Sequence, residues 1–328
     1  MKQRRFGRTG WQISELTLGG GIVGGILIHP PEEVRLEALR RVVAAGCDWI
    51  DTAADYGQGE SERTLGRLLP EIEPRPRLST KVRLDLDRGD LEGQIRASLE
   101  ASLTRLRLDR VELFQLHNGI MPETGGGAIG VREVLGPGGV ADIFDRLRDE
   151  GYFRCHGITA LGDTATLIEV LRSGRFDTAQ VYHNMLNPSA ARPMPPGWGG
   201  QDFGGLIAAC KAQDVGIMNI RVLAAGVLAT EVRHGREGAI TSGTDIGSEE
   251  ITARRIFARL GDAHGTRAQT AIRHALANPD LSTVVVGLAT LDHLDEALAA
   301  FAAGPLPDAA MAELEAVYAE GWPAPSRR

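Results

Sequence analysis

The chain of 328 residues reads as an α/β protein, a (β/α)₈ TIM barrel with an N-terminal β-hairpin and one extra C-terminal helix. Three observations predict it. Eight short runs rich in apolar and β-branched residues recur, at Glu15 to Leu18, Cys47 to Asp51, Arg77 to Val82, Val111 to His117, Cys155 to Thr159, Thr178 to His183, Gly216 to Val222 and Ser282 to Val286. Longer stretches with apolar positions three or four apart separate them, which implies parallel strands joined by helices, and closure of such a sheet removes its edges. No linker, internal repeat or low-complexity tract interrupts the alternation, so residues 1–328 are expected to form one domain, a size that α/β barrels commonly reach. An open doubly wound sheet is the alternative architecture.

Taken in order, Arg4-Arg5-Phe6 and Gln12-Ile13-Ser14 flank Gly7 to Gly10 as a hairpin. The same arginines ahead of the apolar stretch Leu16 to Ile28 are not expected to make an export signal: Glu15 interrupts the approach, glycines dilute the stretch and no Ala-x-Ala site closes it. Val34-Ala38-Val42, Leu91-Ile95-Leu99-Leu103, Ile143-Leu147 and Leu167-Val170-Leu171 mark helix faces. Asp90 and Asp163 are placed to cap helices and Gly174 to end one. Pro307 to Gly321 supplies the extra helix, with Met311, Leu314 and Tyr318 on one side. Three strand-to-helix loops, Asn118 to Gly139, Asn187 to Gly204 and Ala229 to Ser248, exceed the usual βα length. They contain Met121, Met194 and Trp198 and are expected to wall a pocket and fold over it.

A formal net charge of -7 and a pI near 5.7, without a basic block, argue against nucleic acid or anionic lipid as partners. No apolar stretch is long enough for a membrane helix. The expected partner is therefore a small molecule, in a cytoplasmic setting. Neither a heptad nor an apolar stripe indicates an oligomeric state. Cys47, Cys155 and Cys210 lie far apart in apolar patterns without CxxC spacing, so neither a disulfide nor a metal site is expected.

Asp51, Tyr56, Lys81 and His117 sit where three of the strand runs end, so a carboxylate, a phenol, an amine and an imidazole are expected to meet in one pocket. A phenol holds its proton at neutral pH and becomes a useful acid and base only when a cation stabilises the phenolate. Lys81, kept charged by Asp51, would lower the pKa of Tyr56, while burial would raise it. His117 has two possible roles, proton relay or fixed hydrogen-bond donor to a carbonyl oxygen, and the second is favoured for reduction. Such a set completes a hydride transfer but supplies no hydride, which implies a nicotinamide cofactor.

Asp51-Thr52-Ala53-Ala54-Asp55-Tyr56-Gly57, followed by Glu62-x-x-Leu65-Gly66, resembles the signature of the aldo-keto reductases. Ser79-Thr80-Lys81 and Leu116-His117 fall where that family has its catalytic lysine and histidine. The resemblance implies the barrel with the hairpin plugging its bottom, and metal-free reduction of aldehydes and ketones, or oxidation of alcohols, with NADPH or less often NADH. Gly139-Val140-Ala141, Gly174-Arg175-Phe176-Asp177 and Asn184 to Ser189 are similar to a bacterial branch that includes aldose and pyridoxal dehydrogenases, which points to sugar-like substrates.

The same resemblance implies cofactor contacts at Gly20, Thr159, Gln180, Arg221, Leu223, Gly226, Gly287, His293 and Glu296. Thr159-Ala160 stands where the family usually has Ser-Asn, which leaves Gln180 more of the carboxamide contact. Ile220 replaces a stacking aromatic residue, and Arg221 a serine, so that its guanidinium can grip a pyrophosphate or a substrate anion. Leu223 to Leu228 would wrap the pyrophosphate with backbone N–H groups. Gly287-Leu288-Ala289-Thr290 lacks the usual basic residue for a 2′-phosphate, so NADP(H) leads NAD(H) only slightly. Ala160 and Ile220 also leave open a cofactor-binding regulatory subunit with slow or no turnover.

Overall fold

The computed structural model describes residues 1–196, 198–233, 235, 238, 240, 241 and 243–321. Strands β1 (Gln3–Arg5) and β2 (Gln12–Ser14) pair antiparallel as the expected hairpin. Next come β3 (Leu16–Gly19), α1 (Glu32–Ala44), β4 (Trp49–Asp51), α2 (Glu60–Leu68), β5 (Arg77–Val82), α3 (Leu91–Leu106) and β6 (Val111–Leu116). A two-stranded ribbon, β7 (Ile120–Met121) with β8 (Ile129–Gly130), and the short helix α4 (Val131–Leu135) lead into α5 (Val140–Asp149). The second half holds β9 (Phe153–Ala160), α6 (Thr164–Arg172), β10 (Thr178–Tyr182), α7 (Leu206–Ala212), β11 (Gly216–Ile220), α8 (Ile246–Leu260), α9 (Arg267–Leu276), β12 (Thr283–Gly287), α10 (Leu291–Ala303) and α11 (Asp308–Ala319). Eight parallel strands close in the order β3-β4-β5-β6-β9-β10-β11-β12 and back to β3. The expected barrel is the observed one.

Side-chain alternation sorts each strand between two environments. Ile50, Leu78, Phe114, Ile158 and Val284 join the apolar layer under the helices, where Asp90 and Asp163 cap α3 and α6 as expected. On the inner side, Trp49, Leu113, Cys155 and Met218 pack with Phe6 and Ile13 of the hairpin into a separate apolar floor. The hairpin comes close enough only because Gly216 has no side chain: a Cβ there would stand 2.5 Å from the Phe6 ring. Phe6 meets the Trp49 indole edge-on at 5.4 Å. The expected plug is thus in place, and the three thiols are free and buried.

Strand β4 starts at Trp49 rather than Cys47, because Asp48 is turned to the hairpin instead, its Oδ1 accepting from the Ser14 amide at 2.9 Å. Strand β11 ends at Ile220, since Arg221 takes a left-handed backbone with φ of 61°. The first long loop contains β7, β8 and α4 and is braced by Asn118, whose side chain bonds both the amide and the carbonyl of Leu84. In the second, Asn187 Nδ2 donates to the Gln201 carbonyl and Gln201 Nε2 to the Gly162 carbonyl. These two loops are built walls held by their own polar side chains. The extra helix α11 packs with α8, and Leu314 and Tyr318 are buried in that contact.

Behind the barrel, His183 and His274 stack with ring centroids 5.3 Å apart and 22° between planes. Burial pushes His183 down to about 4, and burial with its neighbour pushes His274 down to about 3. An unfolded chain binds protons on both below about pH 6.5, whereas the folded chain does not until those lower values, so stability present at neutral pH is lost on acidification. Urea denaturation between pH 7 and pH 4 should show a fall of up to about 1.4 kcal/mol per pH unit per imidazole, and His274→Leu should flatten that slope.

Candidate active site

The polar groups sit on the strand exits just above the apolar floor. Asp51 ends β4, Lys81 lies one residue before the end of β5, His117 follows β6, and Tyr56 occupies the turn between β4 and α2. Lys81 Nζ donates to Asp51 Oδ2 at 2.6 Å, to the Thr52 carbonyl at 2.7 Å and to Tyr56 Oη at 3.3 Å. The Tyr56 and His117 rings meet edge to face at 5.7 Å. All four residues named from sequence therefore come together in one place.

Burial of Lys81 is the largest single influence and disfavours its charge, but Asp51 and Tyr56 together outweigh it and the ammonium is held above its ordinary value. For Tyr56 the balance goes the other way. Burial is the larger influence and raises the phenol, and Lys81 pulls it part of the way back. Both influences named from the sequence are present, and with burial the larger the resting phenol is protonated. Burial also lowers His117, so its imidazole is neutral. His117 Nδ1 faces Asp55 Oδ2 at 3.4 Å, and Arg83 Nε holds the same oxygen at 3.1 Å. A neutral ring that carries its proton on the Asp55 side leaves Nε2 as an acceptor.

Ser79 and Gln115 were not singled out from sequence as partners of this group, and Gln180 was expected at the cofactor. Asp51 Oδ1 accepts from Ser79 Oγ at 2.6 Å, Gln115 Nε2 at 3.2 Å and Gln180 Nε2 at 2.9 Å. Strand β10 is not a neighbour of β4, so the Gln180 bond crosses the lumen. The signal for Ser79 and Gln115 was available: they stand two positions before Lys81 and His117, on the same inward face. At the exit of β10, the second and third long loops enclose a cleft lined by Tyr182, Asn187, Trp198, Thr244, Ser248 and Glu249.

The aldo/keto reductase family model matches residues 15–319. The chain belongs to the aldo/keto reductase family. It is similar to an L-galactose dehydrogenase of Arabidopsis thaliana, 25% identical over 304 residues that cover 90% of this chain and 87% of that protein. A D-threo-aldose 1-dehydrogenase of a Pseudomonas species is 27% identical over 250 residues, covering 67% and 69%. Among solved structures, the holo form of the aldo-keto reductase AKR11C1 from Bacillus halodurans superposes with a TM-score of 0.74 over all of both chains at 20% identity.

This aldo/keto reductase is thus an oxidoreductase that works with a nicotinamide cofactor, and the exits of β9 to β12 fit one. Thr159 Oγ1 is buried without a hydrogen-bond partner among the described residues. Gly20 lies so close to the site that a Cβ would stand 2.4 Å from Ser61 Oγ. After β11, Arg221, Ala224, Ala225 and Gly226 all have positive φ, strain of the kind that persists where a ligand is held. Arg221 makes no ion pair among the described residues and donates Nη1 to the Gly238 carbonyl at 3.0 Å. The amides of Ala224, Gly226, Val227 and Leu228 close turns within the loop itself, with Leu223 as the acceptor for two of them. Gly287 and His293 are exposed, Thr290 caps α10, and the Glu296 carboxylate accepts from Thr266 Oγ1. Among the described residues no cluster of three His, Cys, Asp or Glu side chains is placed to hold a metal ion, and no helix is long and apolar enough to cross a membrane.

Replacing Lys81 by Met removes the cation that offsets burial of Tyr56. The tyrosinate transition of Tyr56, read by ultraviolet difference titration, should move upward by a pH unit or more, on the order of an opposite charge at hydrogen-bond range.

Proposed function

We propose that this aldo/keto reductase interconverts a CH–OH group and a carbonyl of a polyhydroxylated, sugar-like substrate, with Tyr56 as the acid and base. The observation that carries this reading is the buried Lys81 ammonium, 2.6 Å from Asp51 and 3.3 Å from the Tyr56 oxygen. When bound, a nicotinamide dinucleotide would supply the hydride chemistry, accepting or giving the hydride at the substrate carbon. In the oxidising direction the tyrosinate form of Tyr56, stabilised by Lys81, takes the proton of the substrate hydroxyl and becomes neutral; in the reducing direction Tyr56 Oη gives its proton to the carbonyl oxygen and Lys81 stabilises the charge left on the phenol oxygen. The neutral His117, with Nε2 as an acceptor, can take a hydrogen bond from a second hydroxyl of the polyol beside the reacting one and so orient the substrate. This differs from the donor role toward a carbonyl oxygen that the sequence suggests for reduction.

The cleft beside β10 supports a sugar-like substrate, since it offers the Trp198 ring, hydroxyls, an amide and the Glu249 carboxylate, groups that pair with a polyol. The names of the two plant and bacterial relatives point the same way. For the cofactor, Thr159 and Gln180 are assigned to the carboxamide, Arg221 with Leu223 and Gly226 to the pyrophosphate, Gly20 and Gly287 to the groove, and His293 and Glu296 to the adenosine. NADP(H), the form the family resemblance favours, leads, and NAD(H) is the alternative because Thr290, the side chain nearest in sequence to Gly287 that could meet a 2′-phosphate, already caps α10. Three unpaired, buried thiols fit a reducing, cytoplasmic setting.

Titration with NADPH and NADH, followed by assays of L-galactose oxidation and glyceraldehyde reduction with the better cofactor, tests the reading. Tyr56→Phe should abolish turnover, by roughly a thousandfold or more given the share of a positioned acid-base group, and leave cofactor affinity nearly unchanged. A Tyr56→Phe enzyme with the wild-type rate would overturn the assignment.

A further inference from the structure

The three donors on Asp51 Oδ1 are not equivalent, because one of them has no choice of direction. Ser79 Oγ accepts a hydrogen bond from Trp49 Nε1 at 3.1 Å and lies 2.6 Å from Asp51 Oδ1. An indole N–H only donates, so the Ser79 hydroxyl receives from Trp49 and must turn its own proton to Asp51. Trp49 is in turn clamped in the floor, with Phe6 at 5.4 Å and Trp11 at 5.7 Å. Trp49, Ser79, Asp51 and Lys81 are each at most 2% exposed. An oriented line of polar contacts therefore runs from the hairpin plug to the reactive phenol.

We propose that Ser79, oriented by Trp49, is a positioning residue that draws the charge of Asp51 toward Oδ1 and leaves the Lys81 ammonium free to act on Tyr56. The argument is electrostatic. A carboxylate whose far oxygen is fully solvated by donors neutralises its near partner less. Gln115 Nε2 acts in the same sense from β6, with its Oε1 buried and without a partner among the described residues. The titratable and charged groups that face Tyr56 are Lys81, Asp51, Asp55, His117 and, from β11, Arg221. None of them is altered by the variants below.

This inference rests on the reading of Tyr56 as the proton donor, and the test separates the two. The tyrosinate transition of Tyr56 is followed by ultraviolet difference titration of the full chain, with Tyr56→Phe subtracted, and needs neither substrate nor cofactor. Ser79→Ala should raise that transition by about half a pH unit, the effect of one lost neutral hydrogen bond. Kcat for L-galactose oxidation should fall by roughly threefold to tenfold. Ser79→Thr, which keeps the hydroxyl, should restore both, and Gln115→Leu should shift the transition in the same direction. Trp49→Phe should give a smaller shift, and the Trp49→Phe/Ser79→Ala pair no more than Ser79→Ala alone. An unmoved transition in Ser79→Ala and Gln115→Leu, or additive effects of the pair, would overturn the positioning role. Full turnover in Tyr56→Phe would instead overturn the reading of the site.

Discussion

A lysine and an aspartate taken out of water together set the terms for the rest of this barrel. Removing two charges from solvent costs several kcal/mol for each, and attraction between them repays it only if the remaining protons and lone pairs are satisfied. An ammonium has three protons, and here each has an acceptor: Asp51 Oδ2, the Thr52 carbonyl and Tyr56 Oη. The first two contacts are short and hold the group. The third, at 3.3 Å, is the longest and the one available to chemistry. The carboxylate is served in the same way by Ser79, Gln115 and Gln180. These donors come from three strands, so the ion pair can exist only inside a closed barrel whose strands are in register.

The closed register explains why so much was legible in the sequence. Each strand is short, apolar outward and followed by a helix with a clear face, and the four reactive residues stand at strand exits where the periodicity breaks. The two-residue strands β7 and β8 were invisible because so short a segment has no period to detect. The start of β4 was misplaced because Asp48 is used by the hairpin, a tertiary contact that no local pattern reports. Ser79, Gln115 and Trp49 were readable in principle, each two residues before a chosen side chain on an inward face. Asp55 was not, because its role depends on where His117 turns Nδ1.

The exit of β11 shows the opposite relation between stability and use. Arg221, Ala224 and Ala225 hold left-handed backbone without being glycine, at a cost of about 1 to 2 kcal/mol each. Ala224 itself is buried there, in the apolar cluster that Val227 and Leu228 form with α8 and α11. The turn is held by amides that bond within it, and Arg221 makes no ion pair among the described residues. The floor carries no such strain: Phe6, Trp11 and Trp49 pack as aromatic neighbours in ordinary geometry. Among the described residues, five of the seven non-glycine residues with positive φ lie in loops that follow strands, and Arg107 and Asp214 in loops that precede them.

Opposing influences act on Tyr56. Burial raises the phenol and Lys81 lowers it, and burial is the larger. A phenol brought down to neutrality at rest would already have lost the proton it must donate to a carbonyl. One left in an apolar pocket without a cation could never release it to become the base that oxidation needs. The site works in both directions because the resting group is protonated while the cation stands 3.3 Å away, so that its field counts most when negative charge develops on the oxygen. Catalysis of this kind depends on how strongly the charged form is stabilised during the reaction, and a raised resting value is compatible with that. The buried ion pair, the donors behind it and the dry floor beneath are the conditions that keep this field from being spent on water.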